Sequence, residues 1–348
     1  MAPKLFASGI TRRILIALLG AFAVLSSTLL PLIAVAEVPL ATDTLASWNE
    51  GPAKQAIVDF VKATTDKSSP DFVPPEERIA TFDQDGTLWV EHPMYSQVVY
   101  CLDRVPALVK AKPELANIEP FKTVLSGDRE AMAKLSTHDL EKILFATLTG
   151  MTVDTFEAEA KKWTKEAKDG RWKRPYTELT YQPMQEVLSY LRANDFKTYI
   201  VTGGGQDFVR VYSERVYGIP PEQVVGSSVA TTYRLGGDGT PTLIKEAKIE
   251  FVDDGPGKPS GINRFIGRRP IFAFGNSDGD QQMLQWTAAG SGARCVALVR
   301  HTDAEREFAY DRSSHVGRLD KALDEAAARN WIVVDMQRDW LTVFPPAR

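Results

Sequence analysis

The chain has 348 residues, 44% of them hydrophobic and 25% charged, an ordinary globular composition with material for about two structural units. Its formal net charge of −4 excludes a general affinity for nucleic acid or anionic lipid, so a small anionic substrate needs a locally positive pocket. Two cysteines, Cys101 and Cys295, are too few for a cysteine-based metal site, and both read as structural.

Residues 1–36 read as a leader. Lys4, Arg12 and Arg13 form a positive n-region, Ile14 to Leu30 is an apolar run, and Ala34-Val35-Ala36 supplies a small-residue cleavage site. We therefore expect a signal peptide that exports the protein to the periplasm or the medium. Thr11-Arg12-Arg13-Ile14-Leu15 loosely resembles a twin-arginine signal. An uncleaved anchor is the competing reading, because Ile14 to Ala36 is long enough to span a bilayer. Ser26, Ser27, Thr28 and Pro31 weaken such a span and favour cleavage, which leaves no attachment to a membrane.

Thr44 to Thr64 carries apolar residues at helical spacing, with a break at Gly51-Pro52. A Pro/Ser-rich connector over 66–77 leads into the most informative stretch, Arg78 to Trp89. Ile79, Ala80 and Phe82 read as a buried strand, which ends in Asp83-Gln84-Asp85-Gly86-Thr87. At such a turn Asp83 and Asp85 converge on one small volume. Close carboxylates repel, so the pair persists when a cation lies between them or when they do acid–base work. Oxygen-only ligands favour Mg²⁺ over zinc. An ordinary Asx turn is the plain alternative.

From 92 to 183 the pattern is helical, over 97–110, 126–135, 139–148 and 153–168. Ser136 and Thr152 read as helix starts, and Gly150 and Gly170 as stops. We expect a helical cap over 95–182, inserted between core segments 37–94 and 183–348. Arg171, Trp172, Lys173 and Arg174 read either as an anion-recognising turn or as an exposed basic one. Strand–helix alternation follows. Helices are expected over 182–193, 208–217, 259–266, 280–288 and 319–328, and strands over 196–201, 270–274 and 295–299. Short β pieces at 224–233 and 242–245 flank a glycine-rich turn. The alternation predicts an α/β fold, a three-layer Rossmann-like parallel sheet with helices on both faces. Ligands of such sheets sit at the carboxyl ends of the strands.

Three more polar clusters fall on that edge. Thr202-Gly203-Gly204-Gly205 offers a hydroxyl and successive N–H groups to an anion, or is a flexible glycine turn. Gly257-Lys258-Pro259 puts a lysine at a helix start, where its charge is unfavourable unless it faces a phosphoryl group and carboxylates. Phe274-Gly275-Asn276-Ser277-Asp278-Gly279-Asp280 carries oxygen ligands suited to Mg²⁺, or is a helix-capping acidic turn. His301 could edge the pocket, but Thr302-Asp303-Ala304-Glu305 is a capping-box pattern, so a helix is expected after it.

Taken together, Asp83-x-Asp85-Gly86-Thr87, Thr202 with its glycines, Lys258 and the 276–280 segment resemble the haloacid dehalogenase superfamily. The resemblance is chiefly to its phosphoserine-phosphatase-like members with a helical cap, and it covers nearly all of the chain after the leader. It implies that Asp83 is the nucleophile and forms an aspartyl-phosphate. Asp85 would protonate the leaving alkoxide and then activate water. Thr202, Gly203 and Gly204 would bind phosphate oxygens, and Lys258 would neutralise charge. Mg²⁺ would be held by Asp83, the Asp85 carbonyl, Asn276 and Asp280. The family usually has an aspartate where Asn276 stands, so Asp278 is the alternative ligand. An acid at position 85 favours phosphoryl transfer over dehalogenation. The function implied is a Mg²⁺-dependent phosphomonoesterase acting on a small phosphorylated metabolite. A phosphotransferase or phosphomutase, and a catalytically weakened binding homologue, are the alternatives.

Overall fold

The structure is a computed structural model that describes residues 44–132 and 134–347. The expected signal peptide at 1–36 therefore lies outside the described residues. In chain order the elements are α1 (Pro52–Thr65), β1 (Ile79–Phe82), α2 (Ser96–Ala111), α3 (Phe121–Ser126), α4 (Arg129–Met132), α5 (Thr137–Leu148), α6 (Val153–Glu166) and α7 (Gln182–Ala193). Next come β2 (Lys197–Gly205), α8 (Gln206–Tyr217), β3 (Val224–Leu235), β4 (Pro241–Phe251), α9 (Gly257–Gly261) and β5 (Phe272–Gly275). The chain closes with α10 (Gln281–Ala288), β6 (Cys295–Arg300), α11 (Lys321–Arg329), β7 (Ile332–Asp335) and α12 (Met336–Asp339).

The strands form one sheet in the order β4-β3-β2-β1-β5-β6-β7. All neighbours pair in parallel except β3 and β4, which pair antiparallel. Successive side chains of a strand point to opposite faces, so a strand covered on both faces must be apolar throughout. β5 and β6 meet that requirement. Phe272, Phe274, Ala297 and Val299 enter the larger core, while Ala273, Val296 and Leu298 enter the smaller one, with Met283 and Leu284 of α10 and Ala322 and Ala326 of α11. The α/β expectation and the helices on both faces hold. Cys101 and Cys295 are buried and free.

Four details differ from the expectation. The single helix expected over 126–135 is two short ones, α3 and α4, parted at Gly127, whose φ of 69° ends α3. The short β pieces are instead a long antiparallel hairpin, whose Lys245 exchanges backbone hydrogen bonds with the α5–α6 loop (Gly150 N–H to the Lys245 carbonyl, 2.7 Å; Lys245 N–H to the Met151 carbonyl, 2.9 Å). β7 extends the sheet past β6. No helix follows His301, because the Asp303 side chain accepts the Arg306 N–H and pairs with its guanidinium, closing a turn.

Candidate active site

β1 ends at Phe82, and the Asp83 N–H donates to the Phe274 carbonyl at 3.0 Å, which aligns the β1 and β5 ends. Gly86 takes a φ of 75° and lies so close to Asn276 and Glu91 that a Cβ would overlap both, so only glycine fits the turn. Lys258 is where the four clusters meet. Its Nζ lies 2.6 Å from Asp83 Oδ1, 2.6 Å from Asp280 Oδ1 and 2.9 Å from the Val201 carbonyl. The unfavourable place of a lysine in the first turn of α9 is offset by these three acceptors.

Thr202 Oγ1 accepts the Gly204 N–H at 3.0 Å, and the Gly205 N–H donates to Gln97 Oε1 of α2 at 2.7 Å. The glycine turn is thus shaped from below by Thr202 and from above by the helical segment. Asp85 accepts the Trp89 indole N–H at 2.7 Å. Asn276 is buried: its Oδ1 accepts from Thr87 at 3.1 Å and its Nδ2 donates to Glu91 at 2.7 Å. Asp280 Oδ2 accepts the Asn276 and Ser277 N–H groups. Asp278 is not brought into this cluster. Its Oδ1 accepts the Asp320 and Ala322 N–H groups, both at 2.9 Å, and caps α11.

Two participants, Glu91 and Gln97, escaped the sequence reading. Glu91 is buried beside Asn276 and also accepts the Tyr310 hydroxyl at 2.8 Å; the signal for it was a carboxylate directly after the apolar run Leu88-Trp89-Val90. Gln97 carried no signal. His301 edges the site from behind, its Nε2 donating to the Gly86 carbonyl at 2.8 Å. In the basic turn at 171–174 both arginines are spent on backbone carbonyls. Arg171 donates to the Glu305 and Glu307 carbonyls at 2.8 and 2.6 Å and lies over Phe308, and Arg174 donates to the Pro345 carbonyl at 3.0 Å.

Burial pushes Asp83 well above the usual carboxylate range, with the nearby Asp280 charge adding to the effect and Lys258 opposing it. Burial raises Asp85 to about 6, against the Trp89 N–H and Lys258. Glu91 is also pushed well up, by burial first, with Asp85 and Asp83 adding to the effect against the Tyr310 hydroxyl. Burial draws Lys258 down, but Asp280 and Asp83 outweigh it and the net shift is upward. One ammonium therefore sits among the carboxyl groups of Asp83, Asp85 and Asp280, with that of Glu91 beside Asn276, a set with oxygen donors only. Such a set fits a hard divalent cation of the Mg²⁺ type. Among the described residues no group of three or more His, Cys, Asp or Glu is placed to hold a metal alone.

Above the carboxylates opens a cavity of about 610 Å³, lined by Asp83, Asp85, Lys258, Thr202 and Gly203 to Gly205 on one side. Elements of the helical insertion and of the β3–β4 hairpin form its other walls.

A search of curated proteins returns no match. Among solved structures, a conserved functionally unknown protein from Anaerococcus prevotii DSM 20548 is 15% identical, with a TM-score of 0.47 over 72% of this chain and 86% of that one. A protein with unknown function from Bordetella pertussis Tohama I is 15% identical, with a TM-score of 0.46 over 75% of this chain and 99% of that one. A phosphoserine phosphohydrolase-like protein from Francisella tularensis subsp. tularensis SCHU S4 is 18% identical, with a TM-score of 0.35 over 64% and 87%. The family model of haloacid dehalogenase-like hydrolases matches residues 80–285, more than half of the 348 residues and every cluster gathered at Lys258. The chain belongs to the haloacid dehalogenase-like hydrolases.

Proposed function

We propose that the protein is an exported, Mg²⁺-dependent phosphomonoesterase that works through an aspartyl-phosphate on Asp83. The observation that carries this reading is the placing of Lys258 2.6 Å from both Asp83 and Asp280, at the strand ends and beside the Thr202 turn. A lysine on a carboxylate, beside a glycine turn that carries a hydroxyl, suits an incoming phosphate dianion.

In this reading Asp83 attacks phosphorus while Lys258 offsets the charge of nucleophile and phosphate. Gly203 offers its N–H to the phosphate oxygens, and the Thr202 hydroxyl adds a further donor while its oxygen keeps the Gly204 N–H and holds the turn. Asp85, raised to about 6 by burial, keeps a proton within the working range and gives it to the departing alkoxide as the P–O bond breaks. It then takes a proton from the water that attacks the aspartyl-phosphate, which frees inorganic phosphate and restores Asp83. In this reading Asp83, Asp85 through its carbonyl, Asn276 and Asp280 would hold the cation, with Asp280 also bound to Lys258. Bound there, Mg²⁺ would supply Lewis-acid stabilisation of the transferring phosphoryl group. Glu91 bears on the binding-homologue alternative, because it sets beside Asn276 a carboxyl group that a bound cation would draw into its charged form. Export rests on the charged and apolar pattern of the leader.

Phosphate release from an aryl phosphate tests the reading. Wild type should turn over with Mg²⁺ and lose activity on chelation, and Asp83→Asn should be inactive. Saturable binding without turnover would instead favour the binding homologue.

A further inference from the structure

The cavity over Asp83 has two kinds of wall. Its floor carries the carboxylates, Lys258 and the Thr202 turn. The opposite walls are apolar, with Leu144, Phe145 and Leu148 along one face of α5 and Val229, Ile249 and Phe251 across from them on the hairpin. All six are only partly buried or exposed and face a cleft, so a ligand that covers them removes apolar surface from water.

Charge points the same way. The lining holds six carboxylates, Asp83, Asp85, Glu91, Glu141, Asp207 and Asp254, and two cations, Lys245 and Lys258, with no arginine among the described residues. Both lysines are already committed. Lys258 bridges Asp83 and Asp280, and Lys245 pairs with Asp207 and lies 4.6 Å above the Phe156 ring, its side chain 4% exposed. A divalent cation added there is itself held by carboxylates, so no cation of the lining is left unpaired. A phosphate monoester brings one anionic group, and Lys258 with the Thr202 turn receives it. A carboxylate or second phosphate on the alcohol would meet no spare cation in a partly desolvated cleft, where like charges repel strongly.

Resting on the phosphomonoesterase reading, we propose that the substrates are phosphomonoesters of apolar alcohols without an anionic group, an aryl or alkyl body on a single phosphate. Esters whose alcohol bears a second anion with no cation beside it, such as 3-phosphoglycerate, are rejected by the lining. The α5 face and the hairpin supply the preference, and the want of a spare cation supplies the exclusion.

The test compares 1-naphthyl phosphate, glycerol 2-phosphate and 3-phosphoglycerate, whose carboxylate has no ammonium beside it, as probes of the Mg²⁺-loaded full chain. The expected order of kcat/KM is naphthyl above glycerol above phosphoglycerate, with a fall of about tenfold or more at each step. Calorimetry on Asp83→Asn should rank their affinities in the same order without turnover. Phosphoglycerate used or bound as well as naphthyl phosphate overturns the proposal, and so does failure of Asp83→Asn to bind any of the three. Binding in the expected order with no turnover of any ester by wild type overturns the phosphomonoesterase reading alone and upholds the selectivity. Leu148→Lys places a cation at the carboxyl end of α5, where the helix tolerates it. It should raise phosphoglycerate use roughly tenfold and lower naphthyl phosphate use. Unchanged phosphoglycerate use would refute the exclusion by charge.

Discussion

Asp85 owes its proton affinity to opposing neighbours, and that opposition is open to test. Burial raises it to about 6, while the Trp89 N–H at 2.7 Å favours the charged form and holds it down. Trp89→Phe keeps an aromatic ring for the stack on Tyr212, 4.8 Å away, and removes the donor. Losing a hydrogen bond to the ionised form raises the pKa, so Asp85 stays protonated to higher pH. The alkaline limb of kcat/KM should therefore move upward in the variant, as read from its pH profile, and an unmoved limb would deny Asp85 the role of proton donor. A second test concerns Glu91 and Asn276, whose side chains meet at 2.7 Å. Glu91→Gln keeps the acceptor for Asn276 and Tyr310 but removes the charge. It should weaken Mg²⁺ binding by about tenfold or more, read by titrating tryptophan fluorescence. The double variant Glu91→Gln with Asn276→Asp moves the charge to the neighbouring position and should recover most of that loss. Wild-type affinity in Glu91→Gln would show that its charge does not serve the cation.

The elements that carry the site were legible where local chemistry decides them. Apolar runs ending in Asp83, Thr202 and Asn276 became β1, β2 and β5, and Ser136 and Thr152 cap α5 and α6. The α5 cap is a reciprocal one, in which Ser136 accepts the Asp139 N–H at 3.2 Å and Asp139 accepts the Ser136 N–H at 3.1 Å. Ser136→Ala should cost about 1 kcal/mol in urea unfolding, and a loss below a few tenths would mean that the cap is not formed in solution. Long-range contacts were not legible. Nothing local marks Gln97 as the partner of Gly205, or Glu91 as the partner of Asn276, 185 residues away in sequence. The turn after His301 shows the converse case. A capping-box pattern was present, but Asp303 spent its carboxylate on Arg306, whose guanidinium also reaches the Trp340 and Leu341 carbonyls. Tertiary partners thus overrode a local helix signal.

At the scale of the whole molecule, the parallel sheet turns four stretches far apart in sequence into one constellation. β1, β2 and β5 lie side by side, so their carboxyl ends deliver Asp83, Thr202 and Asn276 to one edge, and α9 brings Lys258 beneath them. The helical segment and the β3–β4 hairpin then wall the cavity above, joined through the backbone of Lys245 and the α5–α6 loop. On that arrangement the proposed chemistry belongs to the sheet and the proposed selectivity to the insertions. The central claim is that Asp83 becomes phosphorylated during turnover. Acid-quenched mass spectrometry after brief mixing with naphthyl phosphate and Mg²⁺ tests it directly. The expected result is one phosphoryl group on the Asp83 peptide, removed by hydroxylamine and lost in Asp83→Asn. Phosphorylation on another residue, or turnover that persists in Asp83→Asn, would contradict the account.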